Sequence, residues 1–208
     1  MNDHSGHENK HEYYTFPLGE IGANCYIVDC GGETAAVIDP GDEAEVIVGE
    51  LERLHLCPGA VLITHGHFDH VGAARELSAR YGCRVWMSRA DLDLPEGLAG
   101  DAFCTDGYGE GDRVTVGDAE FAVISTPGHS RGSVCLILDD LIFTGDTLFY
   151  NSCGRTDFPG GSAADMRKSL ARLAAMPGNY TVLPGHGAAT SLERERRGNP
   201  FMIRAAGR

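Results

Sequence analysis

The sequence lacks the features that mark several large classes of protein. No apolar stretch approaches the length needed to span a membrane. The amino-terminal segment MNDHSGHENKHEYY has no apolar core, which argues against a secretory signal. The seven cysteines are scattered without a C-x-x-C pair and so predict reduced thiols rather than a disulfide framework. These absences favour a cytoplasmic protein that makes no contact with a membrane.

Positive charge is also scarce, which bears on the partners of the protein. The chain has 17 Lys and Arg against 30 Asp and Glu, a formal net charge of −13. Proteins bind nucleic acid largely by neutralising phosphates with Lys and Arg. We therefore expect a small-molecule partner and no nucleic acid, while the oligomeric state stays open.

The chain has neither an internal repeat nor a linker that would divide it. Its 208 residues, 42% of them apolar, are enough for one domain with a sizeable core. The polar start contains His4, His7 and His11, which could bind a stray metal ion, but a disordered tail is the better interpretation. We expect a tail over residues 1–11 and a single domain over residues 12–208.

Apolar segments separated by glycine-containing turns predict an alternation of strands and helices. Strands are predicted at 13–18, 25–29, 35–39, 60–64, 84–87, 113–116, 120–125, 133–138, 141–143 and 180–183. Helices are predicted over 42–54 with a capping box at Asp42 and Glu45, over 74–81 ending at Gly82, from Ser162 to Pro177, and over 192–197. Residues 93–111 are predicted to form a long loop. This order predicts two packed sheets with helices outside.

One stretch, THGHFDHVGA, concentrates histidine directly after a predicted buried strand. His65, His67, Asp69 and His70 occupy six consecutive positions. The same local pattern, an apolar strand followed by glycine and then His or Asp, recurs at three distant places, His129, Asp146 and His186. Strand ends at one edge of a sheet sandwich would bring all of these side chains together.

Five imidazoles and two carboxylates form an awkward cluster of titrating groups unless they hold metal. Imidazole nitrogen and carboxylate oxygen suit zinc, iron and manganese. Seven ligands exceed the needs of one tetrahedral ion but suffice for two ions about 3.5 Å apart that share a carboxylate. We therefore expect two divalent metal ions, zinc in the first place, with iron or manganese as alternatives.

These motifs together resemble the metallo-β-lactamase superfamily over residues 13–201. H-x-H-x-D-H is followed by G-H at 128–129, G-D at 145–146 and G-H at 185–186, and the NCYIV of 24–28 and DPGD of 39–42 fit as well. The resemblance implies a four-layer αββα sandwich with its metal site along one edge. It also implies two groups of ligands and a bridging carboxylate, namely His65, His67 and His129, then Asp69, His70 and His186, and Asp146 between them.

Within the superfamily, the chain is most similar to the short-form, glyoxalase II-like hydrolases. GRTDFPGG at 154–161 and NPF at 199–201 carry this similarity, and Asp146 stands where β-lactamases usually have cysteine. The resemblance implies cleavage of a thioester such as S-D-lactoylglutathione, with Asp69 and Asp146 as catalytic carboxylates. Two bound ions would acidify a water so that hydroxide exists at neutral pH, and a thiolate leaves without a general acid.

Two other functions remain open from the sequence. Persulfide dioxygenases share a C-G-R-T-D-F stretch like 153–158 and use a single iron at the positions of some of His65, His67, His129 and Asp146. A metal-binding protein without catalysis is a further alternative. Long-form glyoxalase II proteins carry an extra helical domain for glutathione. Without that domain, we expect recognition of the thiol to come from residues 93–111, 147–161 or 194–204.

Residues adjacent to the predicted ligands are candidates for a supporting role. Thr64 and Thr144 each lie beside a ligand and could hydrogen-bond it, although threonine is also a common strand residue. Arg155 and Asp157 lie in a glycine-bounded loop after Asp146. We expect them to form an Arg–Asp pair that braces the site or orients a ligand, and contact of Arg155 with substrate is the alternative.

Overall fold

The computed structural model of the protein describes residues 11–207 and contains two six-stranded sheets. The first sheet has its strands in chain order, β1 (Tyr13–Leu18), β2 (Ala23–Asp29), β3 (Thr34–Ile38), β4 (Cys57–Ile63), β5 (Arg84–Met87) and β6 (Asp106–Gly107). The first three strands pair antiparallel, and β3 to β6 run parallel to one another. The parallel strands therefore all end at the same edge of the sheet.

The second sheet is mixed and carries the carboxy-terminal half of the chain. Its first strands are β7 (Arg113–Val116), β8 (Ala119–Ser125), β9 (Val134–Leu138) and β10 (Leu141–Gly145). A hairpin of β11 (Leu148–Phe149) and β12 (Ser152–Cys153) follows, and then β13 (Thr181–Pro184) and β14 (Thr190–Ser191) rejoin the sheet in the order β14-β13-β10-β9-β8-β7. Only β10 and β13 are parallel, so they end side by side.

Helices lie between the strands along the chain. They are α1 (Ala44–Leu54), α2 (Phe68–Val71), α3 (Ala74–Tyr81), α4 (Glu96–Ala99), α5 (Ala163–Ala175), α6 (Leu192–Gly198) and α7 (Pro200–Ala205), with a 3₁₀ turn at Arg89–Asp91. None of the helices within residues 11–207 is long and apolar enough to cross a bilayer.

The largest cluster of buried side chains lies between the two sheets. Tyr26, Ile38 and Leu62 from the first sheet pack in this cluster with Phe121 and Phe143 from the second. The rings of Tyr26 and Phe143 meet edge to face with their centroids 5.3 Å apart. Because successive strand residues point to opposite faces, the residues between these core positions face outward towards the helices.

The outward faces of both sheets are covered by helices. On the first sheet, Ile27 and Val61 share a cluster with residues of α1 and α3. On the second sheet, Ile142 and Val182 share a cluster with residues of α5, α6 and α7. Helix, sheet, sheet and helix therefore form four layers, and the predicted αββα sandwich is confirmed.

Some predicted details of the helices are confirmed and others are wrong. Gly82 ends α3 in the left-handed region at φ 66°, and the Ser162 side chain accepts a hydrogen bond from the Asp165 amide at the start of α5. The capping box at Asp42 is wrong. Glu43, in a left-handed conformation, is the N-cap residue of that helix and makes no side-chain capping bond, and Asp42 instead accepts from the adjacent Glu43 amide.

The last residue of the predicted tail and the predicted long loop differ from the structure. Residues 1–10 of the tail lie outside the described residues. His11, which we assigned to the tail, is buried, and its Nδ1 donates to the Asp29 carbonyl at 3.0 Å. The predicted loop over 93–111 contains α4 and β6. These two elements have four and two residues, which is too short for hydrophobic periodicity to reveal them.

Two neighbouring residues of α1 allow a test of how this helix packs against the first sheet. Ile47 is 1% exposed, whereas the adjacent Val46 is 46% exposed. Ile47→Ala should lower the free energy of unfolding by about 2–5 kcal/mol, because it removes buried methylenes and leaves a cavity. Val46→Ala, the matched control, should change it by less than about 0.5 kcal/mol. Urea unfolding followed by circular dichroism measures both, and equal effects would contradict this packing.

Candidate metal centre

The predicted ligands lie where four strands end at the same edge of the sandwich. His65 to His70 follow β4, His129 follows β8, Asp146 follows β10 and His186 follows β13. Two backbone hydrogen bonds join these segments, from the Gly185 amide to the Gly145 carbonyl at 2.9 Å and from the Val134 amide to the Thr64 carbonyl at 2.9 Å. The second of these bonds connects the two sheets directly beside the histidine stretch.

Three histidines form the first group of potential ligand atoms. His65, His67 and His129 each offer a ring nitrogen, these atoms lie within 4.8 Å of one another, and all three residues are buried. His67 Nδ1 and His129 Nε2 are only 2.8 Å apart. The orientation of the His129 ring is fixed by a hydrogen bond from its Nδ1 to the Arg155 carbonyl at 2.8 Å. This bond directs His129 Nε2 into the group of ligand atoms.

A second group contains Asp69, His70 and His186. Their potential ligand atoms also lie within 4.8 Å of one another. His186 Nε2 is 3.3 Å from Asp69 Oδ2, and His70 Nε2 is 3.7 Å from the same oxygen. This group is nearer to solvent than the first, since the side chain of His186 is 26% exposed and that of Asp69 is 16% exposed.

The carboxylate of Asp146 lies between the two groups. One of its oxygens, Oδ2, is 3.4 Å from His129 Nε2 and 3.6 Å from His186 Nε2. The other, Oδ1, is 3.5 Å from His70 Nε2. The structure thus brings all seven predicted side chains together, with Asp146 in contact with members of both groups.

The buried polar atoms of this cluster provide a test of whether it suits metal. His65 Nε2, His67 Nε2, His70 Nε2 and Asp146 Oδ1 are all buried without a hydrogen-bond partner. Buried polar atoms are nearly always paired, and an unpaired one costs about 1–3 kcal/mol. Imidazole nitrogen and carboxylate oxygen are donors for borderline divalent ions. The cluster therefore fits divalent metal ions.

Burial and charge set the protonation of these groups in the metal-free protein. Burial lowers the pKa of His65 well below its ordinary value, and burial together with His129 lowers the pKa of His67 to about 4. Both rings are therefore neutral at pH 7, which is the form that binds metal. Burial raises the pKa of Asp69, but the hydrogen bond from His186 and the charge of His70 outweigh burial and lower it to about 2.

Asp39, which the sequence did not single out as a functional residue, orients two of the ligands. Its Oδ2 accepts from His70 Nδ1 at 3.0 Å and from the Thr64 hydroxyl at 2.6 Å, and its Oδ1 accepts from the Thr64 amide. The Thr64 oxygen accepts in turn from His65 Nδ1 at 3.2 Å. Both histidines thus use Nδ1 in hydrogen bonds and present Nε2 to the centre. Burial opposes a charge on His70, but Asp39 raises its pKa.

Asp91 is a second supporting carboxylate that sequence reasoning missed. It is fully buried and accepts hydrogen bonds from the Gly66 amide at 2.9 Å, the Ser130 hydroxyl at 2.6 Å and the Gly132 amide at 2.7 Å. These bonds connect the loop of His65 and His67 to the loop of His129. Its signal in the sequence was weak, because Asp91 lies in a short 3₁₀ turn far from both loops along the chain.

The loop of His186 is fixed by the first sheet. The side-chain amide of Asn24 donates to the carbonyls of Pro184 and Gly187, both at 2.9 Å, and the Tyr26 hydroxyl donates to the Pro184 carbonyl at 2.6 Å. The main-chain amide of Asn24 also donates to the Gly185 carbonyl at 2.7 Å. The NCYIV segment therefore positions one side of the centre.

The remaining sequence candidates differ in what they contact. Thr64 lies within the ligand network, as described above, whereas the Thr144 hydroxyl donates to the Leu148 carbonyl. Arg155 and Asp157 do form a two-bond ion pair, with both N···O distances at 2.7 Å, and the guanidinium stacks on Phe158. This pair is exposed, so it is the main-chain carbonyl of Arg155 that touches a ligand.

Two glycines allow the backbone to approach the centre closely. A Cβ on Gly185 would lie 2.3 Å from Asp146 Oδ1 and 2.7 Å from a ring carbon of His70. A Cβ on Gly154 would lie 1.9 Å from the Asp146 carbonyl. All three distances are below any normal contact, so a side chain at either position would displace a predicted ligand.

Removal of the central carboxylate should reduce metal binding. Asp146→Ala takes away the group that contacts both ligand sets, so the purified variant should contain less metal than the wild type in elemental analysis. Asp157→Asn is the matched control, because the side chain of Asp157 is 68% exposed and forms its ion pair with Arg155 rather than with a predicted ligand. Normal metal content in a folded Asp146→Ala protein would contradict the proposed ligand set.

A neutral residue at position 39 tests the supporting role of Asp39. Asp39→Asn preserves size, and asparagine tolerates the left-handed backbone observed there at φ 50°. We expect metal affinity to fall about 10- to 100-fold, because the hydrogen bonds that orient His65 and His70 weaken. Competition with a fluorescent chelator measures the affinity. An unchanged dissociation constant would show that Asp39 does not position the ligands.

Comparison with known proteins gives the family of this chain. The model of the metallo-beta-lactamase superfamily matches residues 18–186. Hydroxyacylglutathione hydrolase GloC from Haemophilus influenzae is 35% identical, over 89% of this chain and 95% of that protein.

Two solved structures are also similar. TTHA1623 in a di-iron-bound form is 36% identical with a TM-score of 0.82, over 90% of this chain and 99% of that one. ETHE1 from Myxococcus xanthus is 31% identical with a TM-score of 0.80, over 95% of this chain and 85% of that one. The chain therefore belongs to the metallo-beta-lactamase superfamily.

Proposed function

We propose that this protein is a metal-dependent hydrolase that cleaves a thioester such as S-D-lactoylglutathione. The observation that carries the proposal is the Asp146 carboxylate, which contacts both a three-histidine group and an Asp-His-His group. This arrangement suits two divalent ions that share one carboxylate, zinc in the first place. The similarity to GloC supports hydrolysis of a thioester, and the similarity to TTHA1623 in its di-iron-bound form supports two metal ions.

Bound divalent ions would supply Lewis acidity and an acidified water at this position. The side chains of the protein prepare the site for that chemistry. Asp69 is ionised at pH 7 because its pKa is about 2, with the hydrogen bond from His186 outweighing burial, and its carboxylate can accept a hydrogen bond from the attacking water. Addition of the water oxygen to the thioester carbonyl forms a new C–O bond as one proton of the water passes to solvent. The tetrahedral adduct then breaks its C–S bond, and the thiolate leaves without a proton donor because thiols are acidic.

Aromatic rings flank the open side of the centre. The ring of Phe149 meets that of His186 edge-on with centroids 6.0 Å apart, and Phe158 meets His67 in the same way at 6.0 Å. Asp69 and His186 are the partly exposed members of the ligand set, so we expect substrate to reach the centre beside these two residues. A small thioester fits an entrance with apolar flanks and polar atoms at its base.

A mononuclear-iron persulfide dioxygenase is the second candidate. The similarity to ETHE1 favours it, and the three-histidine group on its own could hold one metal ion. A mononuclear enzyme of this kind would leave the group of Asp69, His70 and His186 without a metal. A variant of this second group therefore distinguishes the two candidates.

The distinguishing experiment compares the wild type with His186→Ala in two assays. One assay follows hydrolysis of S-D-lactoylglutathione and other thioesters, and the other follows oxygen uptake with glutathione persulfide. A hydrolase should contain about two metals per chain, and His186→Ala should lower both the metal content and thioester turnover at least tenfold. Asp157→Asn serves as the control with normal activity.

Two outcomes would contradict the proposed hydrolase. Oxygen uptake with one iron per chain, retained in His186→Ala, would support the dioxygenase instead. A protein that holds metal yet acts on neither substrate class would point to a metal-binding role without catalysis.

A further inference from the structure

A groove that the metal centre does not use lies between α5, α7 and residues 153–156. It has a volume of about 460 Å³, which is enough for a small organic molecule. Its apolar lining comes from Met166 and Leu170 of α5 and from Phe201 and Ala205 of α7. Phe201 is 43% exposed, so an aromatic ring is open to solvent in this groove.

The charge of the groove is opposite to that of the whole protein. Arg155, Arg167 and Arg204 line it, and no acidic residue does. The chain as a whole has a formal net charge of −13. A locally cationic groove on an acidic protein attracts small anions selectively, because most of the remaining surface repels them.

Two of these arginines have no partner for their guanidinium groups. Within the part of the chain that the structure describes, neither Arg167 nor Arg204 forms an ion pair or a side-chain hydrogen bond. Neighbouring cations of α5 are paired, Lys168 with Asp165 and Arg172 with Glu110. The pairing of Arg155 with Asp157 leaves Arg167 and Arg204 as the free cations of the groove.

We propose that this groove binds a small organic anion with an apolar body. Its carboxylate or phosphate group would pair with Arg167 and Arg204, since guanidinium groups bind such anions through paired, charge-assisted hydrogen bonds. Its apolar part would pack on Phe201, Met166 and Leu170. The proposal does not depend on the reaction at the metal centre.

Titration with 8-anilinonaphthalene-1-sulfonate, an anion with an apolar ring system, tests the groove in the metal-loaded full-length protein. Fluorescence gives its dissociation constant. Arg167→Gln and Arg204→Gln should each raise that constant about tenfold, because each removes one charge-assisted contact. Lys168→Gln, one residue from Arg167 with the same change of charge, is the matched control and should leave the constant unchanged. Thermal melting and metal content confirm that each variant is folded.

Competition then identifies the source of the anion. Displacement of the probe by glutathione, a thiol with two carboxylates, would assign the groove to the anionic half of the substrate. Displacement by octanoate but not by glutathione would assign it to a separate carboxylate ligand. Equal probe affinity in wild type, Arg167→Gln and Arg204→Gln, or displacement by neither compound, would overturn the proposal.

Discussion

The arrangement of the metal centre depends on a set of buried ring nitrogens and one buried carboxylate oxygen. None of these atoms has a hydrogen-bond partner among the residues that the structure describes. Four such atoms, from His65, His67, His70 and Asp146, converge at one edge of the sandwich. Each costs free energy when it is buried, since no group of the described chain replaces its hydrogen bond to water. A bound divalent cation would recover that free energy through its bonds to the same atoms. Metal binding and stability are therefore linked, because a ligand of the folded state alone raises its stability.

The ligands keep their arrangement because buried hydrogen bonds hold the loops that carry them. Asp39 fixes the orientation of His70 and, through Thr64, that of His65. Asp91 joins the loops of His67 and His129 through backbone amides. These two carboxylates belong to no predicted ligand set, yet a ring that lost its orientation would no longer present the correct nitrogen. The centre therefore extends beyond the seven side chains that would touch metal.

The sequence predicted the four layers and the seven clustered side chains for a physical reason. Histidine and aspartate directly after apolar strands are recognisable locally, and parallel strands bring their ends to one edge. Asp91 could not be found in this way, because its partners Gly66 and Gly132 lie 25 and 41 positions from it in the chain. Thr64 and Thr144 have the same local context, and only the folded chain distinguishes them, by placing Asp39 beside one and the Leu148 carbonyl beside the other.

The segment 153–156 connects the metal centre with the arginine groove. On one side, the Arg155 carbonyl orients His129, and Gly154 packs so closely against Asp146 that no side chain fits between them. On the other side, the same residues line the groove together with α5 and α7. A molecule in the groove would therefore contact the backbone that holds a predicted ligand. Proximity alone does not couple two sites, since a ligand shifts an equilibrium only by its differential affinity for the two states. Because the Arg155 carbonyl holds His129 and Gly154 lies too close to Asp146 to admit a side chain, a displacement of this segment would reach both predicted ligands, and only a ligand that binds the displaced state more tightly would alter the centre.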